Sequence, residues 1–199
     1  MSKITILSIV IIEMKGAFMT RIAVIVGSLR KESINKYLAK NLEELAPEGT
    51  EFTYVDINLP LFNQDVEASN YPASAQEGKD IVEASDGVLF VTPEYNRSTP
   101  GVLKNAVDWI SRPWGTNSFA GKPVGVVGAS VGPVGTAIAQ SDMRHILAFL
   151  ETKQMGQPEI YVANATELFD ENGILTDERW RKNLQGYIDT FVAWVEKEK

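Results

Sequence analysis

The chain alternates short apolar runs with segments of helical periodicity, and this alternation limits the possible folds more than any other feature. Five apolar runs of six to eight residues predict buried strands at 21–27, 51–57, 87–92, 123–130 and 158–163. Five further segments carry apolar residues at helical spacing and predict helices at 34–45, 73–85, 100–112, 133–150 and 176–197. The pattern is therefore that of an α/β protein.

Strands that are apolar along their whole length are typical of a parallel sheet with helices on both faces. Five strand–helix units predict a flavodoxin-like three-layer sandwich, with a five-stranded parallel sheet of order 2-1-3-4-5. Ligands of such sheets bind beyond the carboxyl ends of the strands, where the strand order reverses. The segments after the first and third predicted strands are therefore the first places to look for a site.

One domain is expected over residues 19–199, because 199 residues suit a single domain better than two. Residues 1–18 are interpreted as an N-terminal extension outside the fold, with Met19 as the natural beginning. Export is the alternative, because an apolar run follows Lys3. That run ends at Glu13 and Lys15 without a clear small-residue cleavage site, so the extension is the preferred interpretation.

Composition excludes several classes of site. The formal net charge of −7 argues against a nucleic-acid or membrane surface, since phosphate-rich partners need a basic face. The lack of cysteine removes disulfides and thiolate chemistry, and it is consistent with a cytoplasmic protein. A single histidine, His145, excludes a multi-histidine metal site. No metal site is expected.

The segment after the first strand, GSLRKESINK (27–36), is dense in hydrogen-bond donors. Ser28, Arg30, Ser33 and Asn35 follow a buried strand and precede a helix, where free backbone N–H groups favour an anion. The glycine and lysine spacings match neither a Walker A loop nor a dinucleotide fingerprint. Each residue alone could equally be a helix cap or a solvated side chain, but together they predict a phosphate site.

The segment after the third strand carries Pro93, Glu94, Tyr95 and Asn96. A rigid proline, a flat aromatic face and an amide that both donates and accepts could together border a planar heteroaromatic ring. Glu94 could instead be a solvated acid at a helix start, and Tyr95 a packing residue. On its own this loop is suggestive only.

The segment after the fourth strand contains Gly128-Ala129-Ser130-Val131-Gly132, which fits the G-x-S-x-G pattern of a hydrolase nucleophile. A hydrolase triad needs a histidine late in the chain, but His145 lies within the helix that follows directly. The serine nucleophile is therefore rejected. Gly128, Gly132 and Gly135 instead indicate close approach of the backbone to a ligand, with Ser130 as a donor.

Three stretches together resemble the NADPH-dependent FMN reductase family, and in particular its bacterial quinone, chromate and azo-dye reductases. They are GSLRKESINKYLAKNL (27–42), VTPEYNRSTPGVLKNAVDWISR (91–112) and GKPVGVVGASVG (121–132), and the resemblance extends over about residues 20–195. It implies a flavodoxin-like fold that binds FMN non-covalently, with NADPH or NADH as co-substrate. No catalytic side chain is expected, because the flavin carries the chemistry.

The resemblance also implies which residues contact FMN. By similarity the residues that hold or flank the phosphate are Ser28, Arg30, Ser33, Ile34 and Asn35, those that line the ring are Pro93, Glu94, Tyr95 and Asn96, and those on its other side are Ser130 and Gly132. A homodimer is implied, and a homotetramer is left open. Ile138 and Ser141 stand where chromate reductases carry polar residues that join a tetramer.

The implied reaction is ping-pong. NADPH or NADH reduces the flavin and leaves, and a quinone, azo compound, free flavin or chromate then takes the electrons at the same face. The alternative is a flavodoxin-like electron carrier that does not oxidise a nicotinamide. The first loop lacks the Ser/Thr-rich run expected of flavodoxins, so the reductase is the preferred interpretation.

Overall fold

The computed structural model of the protein describes residues 19–199, and the predicted N-terminal extension, residues 1–18, lies outside the described residues. The strands are β1 (Thr20–Val26), β2 (Thr50–Tyr54), β3 (Gly87–Val91), β4 (Pro123–Ala129), β5 (Lys153–Gln154) and β6 (Tyr161–Val162). The helices are α1 (Ile34–Leu45), α2 (Gln64–Ser69), α3 (Ala73–Ala84), α4 (Gly101–Ile110), α5 (Ala137–Phe149) and α6 (Glu178–Glu198).

The sheet has the order β2-β1-β3-β4-β5, and β6 also pairs with β4. Every strand pair is parallel. The predicted flavodoxin-like order 2-1-3-4-5 is therefore confirmed. The order reverses between β1 and β3, which are direct neighbours, so the carboxyl ends of these two strands mark the expected ligand crevice.

Helices cover both faces of the sheet, as the fully apolar strands predict. Successive β1 residues alternate between the two cores, with Val24 on the face covered by α1 and α6 and Ile25 on the face covered by α3, α4 and α5. Both side chains are fully buried. The three layers hold the central strands rigidly, and the loops at their carboxyl ends start from fixed positions.

The predicted fifth strand, 158–163, is confirmed only at β6, because the structure divides this edge into two short strands and β5 lies before the predicted range. β5 pairs with the start of β4, and β6 pairs with its end at Gly128 and Ala129. The chain leaves the sheet between them over residues 156–160, after the Met155 N–H has bonded to the Val124 carbonyl at 2.9 Å. Pro158 lies in this detour, and a proline has no N–H group with which to continue a ladder.

Two side chains of α5 hold the ends of the detour. Gln140 donates from Nε2 to the carbonyl of Ile160 at 2.9 Å, and Arg144 donates from Nη1 to the carbonyl of Met155 at 2.9 Å. These bonds give the carbonyl groups of Ile160 and Met155 donors of the kind that a continuous ladder would have supplied. The edge is therefore interrupted but firmly attached.

The fourth predicted helix begins later than expected. The periodicity extends from 133, but α5 starts at Ala137. Gly135 and Thr136 have φ values of 62° and 66°, in the left-handed region that a right-handed helix excludes. The residues between β4 and α5 therefore form a tight loop at the same edge of the sheet as the other candidate loops.

Candidate functional site

Three loops begin at the same level of the sheet. Val26 is in register with Val91, and Val91 with Val127. Directly beyond this level the Gly27 N–H donates to the carbonyl of Val91 at 2.8 Å, and the Thr92 N–H donates to the carbonyl of Val127 at 2.9 Å. The loops after β1, β3 and β4 are therefore side by side, which brings together the three segments that the sequence singled out.

The first loop, residues 28–33, contains two buried hydroxyl groups and one exposed guanidinium group. Ser28 and Ser33 are buried, whereas Arg30 is exposed. Ser28 Oγ accepts from the Arg30 N–H at 3.3 Å, and the Arg30 guanidinium reaches the Glu32 carbonyl. The loop is thus folded by local contacts, with its basic side chain on the outside where a ligand could meet it.

The first turn of α1 has the polarity that an anion site needs. Ser33 is the N-cap but makes no side-chain capping bond, and the first turn contains no acidic residue. The backbone N–H groups of Glu32, Ile34 and Asn35 donate to no other group among residues 19–199. Unpaired amides at the positive end of a 12-residue helix favour a negatively charged ligand.

Asn35 is buried and bonds to the protein rather than facing outward. Its Nδ2 donates to the carbonyl of Ala129 and its Oδ1 accepts from the Ala129 N–H, both at 2.9 Å. Asn35 thereby joins the start of α1 to the end of β4. For the predicted phosphate contact, only its backbone N–H and the second hydrogen of Nδ2 stay available.

Gly27 allows the first and third loops to pack together. A Cβ at this position would lie 3.0 Å from Leu103 and 3.1 Å from Pro93. Any larger residue would push the buried Pro93 away from β1. The proline of the third loop therefore packs as a rigid element against the end of β1, and its predicted contact with a ring stays a prediction.

The third loop contains a tight two-residue turn. Tyr95 and Ser98 exchange two backbone hydrogen bonds at 3.1 and 3.0 Å. Asn96 and Arg97 between them both adopt left-handed conformations, with φ of 52° and 62°. This is the geometry of a type I′ turn, in which asparagine is a preferred residue. The backbone conformation of the turn is therefore enough to explain an asparagine at position 96.

Glu94 is turned inward, away from solvent. Its side chain is 8% exposed. Oε2 accepts from the backbone N–H groups of Ile138 and Ala139 at 3.0 and 3.2 Å, and Oε1 accepts from Arg97 Nη1 at 3.1 Å. The carboxylate is therefore used to join the third loop to the start of α5.

The fourth loop offers a small hydroxyl and an unobstructed backbone. Ser130 Oγ donates to the carbonyl of Gly132 at 3.2 Å. A Cβ placed on Gly132 would meet nothing within 4 Å. The Ser130 N–H donates to the Val162 carbonyl at 2.9 Å, and the Asn164 N–H donates to the Gly132 carbonyl at 3.1 Å, so β6 and the following turn support the loop.

The other two glycines of this loop are required by the protein itself. A Cβ on Gly128 would lie 2.0 Å from the carbonyl oxygen of Thr92, and one on Gly135 would lie 2.6 Å from the backbone of Tyr161. The close approach predicted for Gly128 and Gly135 is therefore an approach to neighbouring backbone. Gly132 alone of these three leaves space where a ligand could come close.

Each of the three loops places one exposed apolar or aromatic side chain on this edge. Leu29, Tyr95 and Val131 belong to the first, third and fourth loops respectively, and each is about half exposed or more. The rim therefore combines flat and apolar surfaces with the donors below it. Leu29 and Val131 were not predicted as site residues, because a single apolar residue in a loop carries no pattern.

The structure gives the G-x-S-x-G segment no hydrolytic partner. His145 is exposed on α5, and Ser130 Oγ donates to a carbonyl instead of to a base. Across residues 19–199, no group of three or more acidic or histidine side chains is arranged to hold a metal. In the same part of the chain, no helix has the length and apolar character needed to cross a bilayer.

A broad groove of about 940 Å³ lies between α4 and α5, away from the three loops. Trp114 and Phe149 border it with exposed fractions of 78% and 73%. Buried Lys79 supports the segment that carries Trp114, since its Nζ donates to the carbonyls of Ile110 and Thr116 at 3.1 and 2.7 Å. Burial lowers the pKa of Lys79.

Comparisons with known proteins give one family. The NADPH-dependent FMN reductase family matches residues 20–167. A 2-hydroxy-1,4-benzoquinone reductase from a Burkholderia species is 51% identical over 176 residues, covering 88% of this chain and 96% of that protein. A quinone reductase from Pseudomonas putida is 47% identical over 175 residues, covering 87% and 94%.

A solved structure agrees with these sequence matches. FerB from Paracoccus denitrificans, described as a flavoenzyme NAD(P)H:(acceptor) oxidoreductase, superposes with a TM-score of 0.85 and is 46% identical to this chain. The similarity covers 90% of this chain and 99% of FerB. The similarity therefore spans the whole sheet and all three loops.

Proposed function

The chain belongs to the NADPH-dependent FMN reductase family, and on this premise we propose that it passes electrons from NADPH or NADH through bound FMN to quinones. The observation that supports this most directly is at the carboxyl ends of β1, β3 and β4. Unpaired backbone N–H groups of the first loop lie there beside the rigid third loop and the unobstructed backbone of Gly132. A phosphate and a planar ring each find suitable groups there.

The first loop fits the phosphate of FMN. The unpaired N–H groups at the start of α1 supply donors, and the exposed Arg30 supplies a local positive charge in a protein that is acidic overall. Ser28 and Ser33 add hydroxyls, and Ile34 contributes its backbone N–H. Asn35 contributes mainly by fixing the start of α1 to the end of β4.

The third and fourth loops fit a ring system. Tyr95 offers a flat surface on one side with the buried, rigid Pro93 behind it, and the amide of Asn96 can donate and accept at the ring edge. Gly132 leaves the backbone open on the other side, next to the hydroxyl of Ser130. These five residues are proposed to surround the isoalloxazine.

Bound FMN supplies the electron transfer between nicotinamide and acceptor, so the chain needs no acid–base triad. The protein's own contribution is to bind the phosphate, to hold the ring between two loops and to present a rim for the second substrate. Leu29, Tyr95 and Val131 give that rim a flat and apolar character. We propose that nicotinamide and acceptor use this rim in turn, which is a ping-pong order.

The rim also favours one class of acceptor. A quinone is flat and largely apolar, and it gains from contact with aromatic and aliphatic side chains. Azo compounds and free flavin share this flatness and are proposed as further acceptors. Chromate is a tetrahedral anion that gains nothing from such contacts and meets a protein of formal charge −7. It is expected to be the poorest acceptor of the four.

An anaerobic mixing experiment tests the proposal. Holoprotein is mixed with NADPH or NADH and the yellow flavin absorbance is followed, then each acceptor is added. Rapid bleaching, recolouring by quinone and parallel double-reciprocal plots are expected. Flavin that keeps its colour with both nicotinamides would instead support an electron carrier, and protein that cannot take up FMN would overturn the assignment.

We further propose a homodimer formed through the groove between α4 and α5. Trp114 projects beside a groove whose walls include Val107 and Ile146, so one protomer's Trp114 can fill the groove of a second copy. A two-fold contact requires this kind of self-complementary surface. A homotetramer would need a second face, where Ile138 and Ser141 offer less polar contact.

Light scattering after size exclusion tests the dimer. The wild type is expected at twice the chain mass, and Trp114→Glu is expected to shift the protein to monomer without loss of helix content. Leu61→Glu is the control, because Leu61 is also exposed but does not line the groove. A wild-type monomer would refute this assembly.

A cytoplasmic location is also proposed. The chain lacks cysteine, as suits a protein that needs no disulfide, and the nicotinamide co-substrates are held inside cells. Fractionation of cells that express the full chain tests this, with recovery from the periplasm as the contradicting result.

A further inference from the structure

The turn in the third loop carries backbone strain at one of its two central residues. Asn96 and Arg97 are consecutive non-glycine residues with positive φ, at 52° and 62°. Asparagine tolerates this conformation, but it is unfavourable for Arg97, whose left-handed backbone persists only where the surroundings impose it. The cross-bonds between Tyr95 and Ser98 close the turn but do not fix its position relative to the rest of the site.

The group that fixes the position is Glu94. Although it lies in a loop, its carboxylate is largely buried and reaches α5, where it accepts from the N–H groups of Ile138 at 3.0 Å and Ala139 at 3.2 Å. These amides are 44 and 45 positions further along the chain. The contact therefore connects the third loop to the helix that follows the fourth loop.

The helix depends on this contact because it has no N-terminal cap of its own. Its N-cap residue, Thr136, has a left-handed backbone and makes no side-chain capping bond, and its first turn lacks acidic residues. Glu94 thus satisfies two free amides and brings negative charge to the positive end of the helix. The cap is supplied by a different segment of the chain.

The far side of the turn is tied to the same place. Thr99 donates from Oγ1 to the carbonyl of Ala139 at 3.2 Å, so Ala139 bonds to residues on both sides of the turn. Within the turn, Arg97 Nη1 donates to Glu94 Oε1 at 3.1 Å. The turn is therefore held from outside and from within.

We propose that Glu94 is a positioning residue: as a remote cap of α5, it sets the distance between the Tyr95–Ser98 turn and the Ser130–Gly132 segment. This rests on the proposed function, in which those two segments border the two sides of FMN. In this role the glutamate does not need to touch the ring. It acts by keeping Tyr95 and Asn96 at a constant place beside it.

The first test uses protein without FMN. In Glu94→Ala, amide hydrogen exchange at Ile138 and Ala139 is expected to accelerate about tenfold or more, since their acceptor is gone. Glu94→Gln keeps one acceptor oxygen and should restore part of the protection. The control is Asp177→Ala, which removes a cap from α6, where Asp177 accepts from the Trp180 N–H at 2.8 Å.

The second test uses protein loaded with FMN. Glu94→Ala is expected to shift the flavin absorbance band and the flavin midpoint potential, and to lower kcat/KM for quinone about tenfold. Asp177→Ala is expected to leave band, potential and turnover unchanged although it also lowers the melting temperature. A spectroscopic change limited to the Glu94 variants separates positioning from a general loss of stability.

The outcomes are separable. If the wild type takes up no FMN, the proposed function and this proposal's effect on the ring both fail, while the exchange data still decide whether the cap exists. If the wild type is an active flavoprotein and Glu94→Ala keeps its spectrum and potential, the positioning role is overturned and the proposed function stands. If the amides of Ile138 and Ala139 exchange as slowly in Glu94→Ala as in the wild type, the positioning role is also overturned.

Discussion

The loops after β1 and β3 are neighbours, but they use their polar groups in opposite ways. Between the first loop and the first turn of α1, the backbone N–H groups of Glu32, Ile34 and Asn35 have no acceptor within the described chain, and Arg30 is exposed. In residues 93–99, Glu94, Arg97 and Thr99 bond to protein groups, and the turn is held on both sides.

This difference separates two ways of binding one ligand. A loop with unpaired donors gains affinity when an anion arrives, because the ligand satisfies groups that the fold left open. A loop whose polar groups are already paired gains little from a new hydrogen bond and contributes mainly shape. The first loop should therefore set how tightly FMN binds, and the third how the ring is placed.

The largest effect is expected in the first loop. Replacing Arg30 and Ser33 together with alanine should weaken FMN binding by about 3 kcal/mol, more than a hundredfold, because hydrogen bonds to a charged group contribute roughly 1.5–3 kcal/mol each. The dissociation constant is measured by titrating protein without FMN while following flavin fluorescence. Lys31→Ala is the control, since Lys31 is exposed in the same loop. An unchanged dissociation constant in the double variant would refute the phosphate site.

The next effect concerns stability, not binding. Asn35→Ala should lower the free energy of unfolding of protein without FMN by about 2 kcal/mol, because it leaves the buried N–H and C=O of Ala129 unpaired. Urea denaturation measures the change. Asn172→Ala, at an exposed asparagine, should change the free energy by less than about 0.5 kcal/mol. Equal effects would show that the Asn35 bonds are not structural.

A smaller effect tests the open space at the fourth loop. Gly132→Ala should leave the melting temperature of protein without FMN unchanged, yet reduce FMN affinity about tenfold if the ring lies against this backbone. Gly156→Ala also adds a methyl group to open space, but away from the three loops, and should change neither quantity. Tight FMN binding by Gly132→Ala would remove this segment from the site.

The smallest effect is expected at the turn itself. Asn96→Gly keeps the left-handed backbone that the turn requires while removing the side-chain amide. FMN affinity should change by less than about threefold, whereas the flavin spectrum and quinone turnover should shift modestly. Asn96→Leu would confound the result, because it adds backbone strain. A wild-type spectrum in the glycine variant would leave Asn96 with a conformational role only.

Most of the fold could be predicted from the sequence. Fully apolar runs such as 87–92 and 123–130 are buried on both faces, and their alternation with helices allows few topologies other than a parallel doubly wound sheet. The edge strand was predicted only in part: β6 lies within 158–163, but the prediction began at Pro158, which cannot extend the ladder, and it missed β5. The helix 133–150 was started too early for a similar reason: left-handed backbone at Thr136 leaves no mark in periodicity.

The location of the site was predicted, but not which of its residues bond to the protein and which are left for a ligand. Residue types and strand order suffice to bring Ser28, Tyr95 and Ser130 to one edge, because strand ends determine where loops meet. They do not reveal that Asn35 and Glu94 bond to backbone groups 94 and 44 positions away. Such contacts depend on the three-dimensional approach of elements, which a local pattern does not encode.

The interrupted edge of the sheet affects how the protein behaves in a crowded solution. A long, regular outermost strand would offer unpaired amides and carbonyls to the sheet of another molecule. β5 and β6 have two residues each, and the segment between them, which includes Pro158, belongs to no strand. A foreign strand would find no uninterrupted ladder to join on this side, so this edge is a poorer template for edge-to-edge pairing than a single long strand would be.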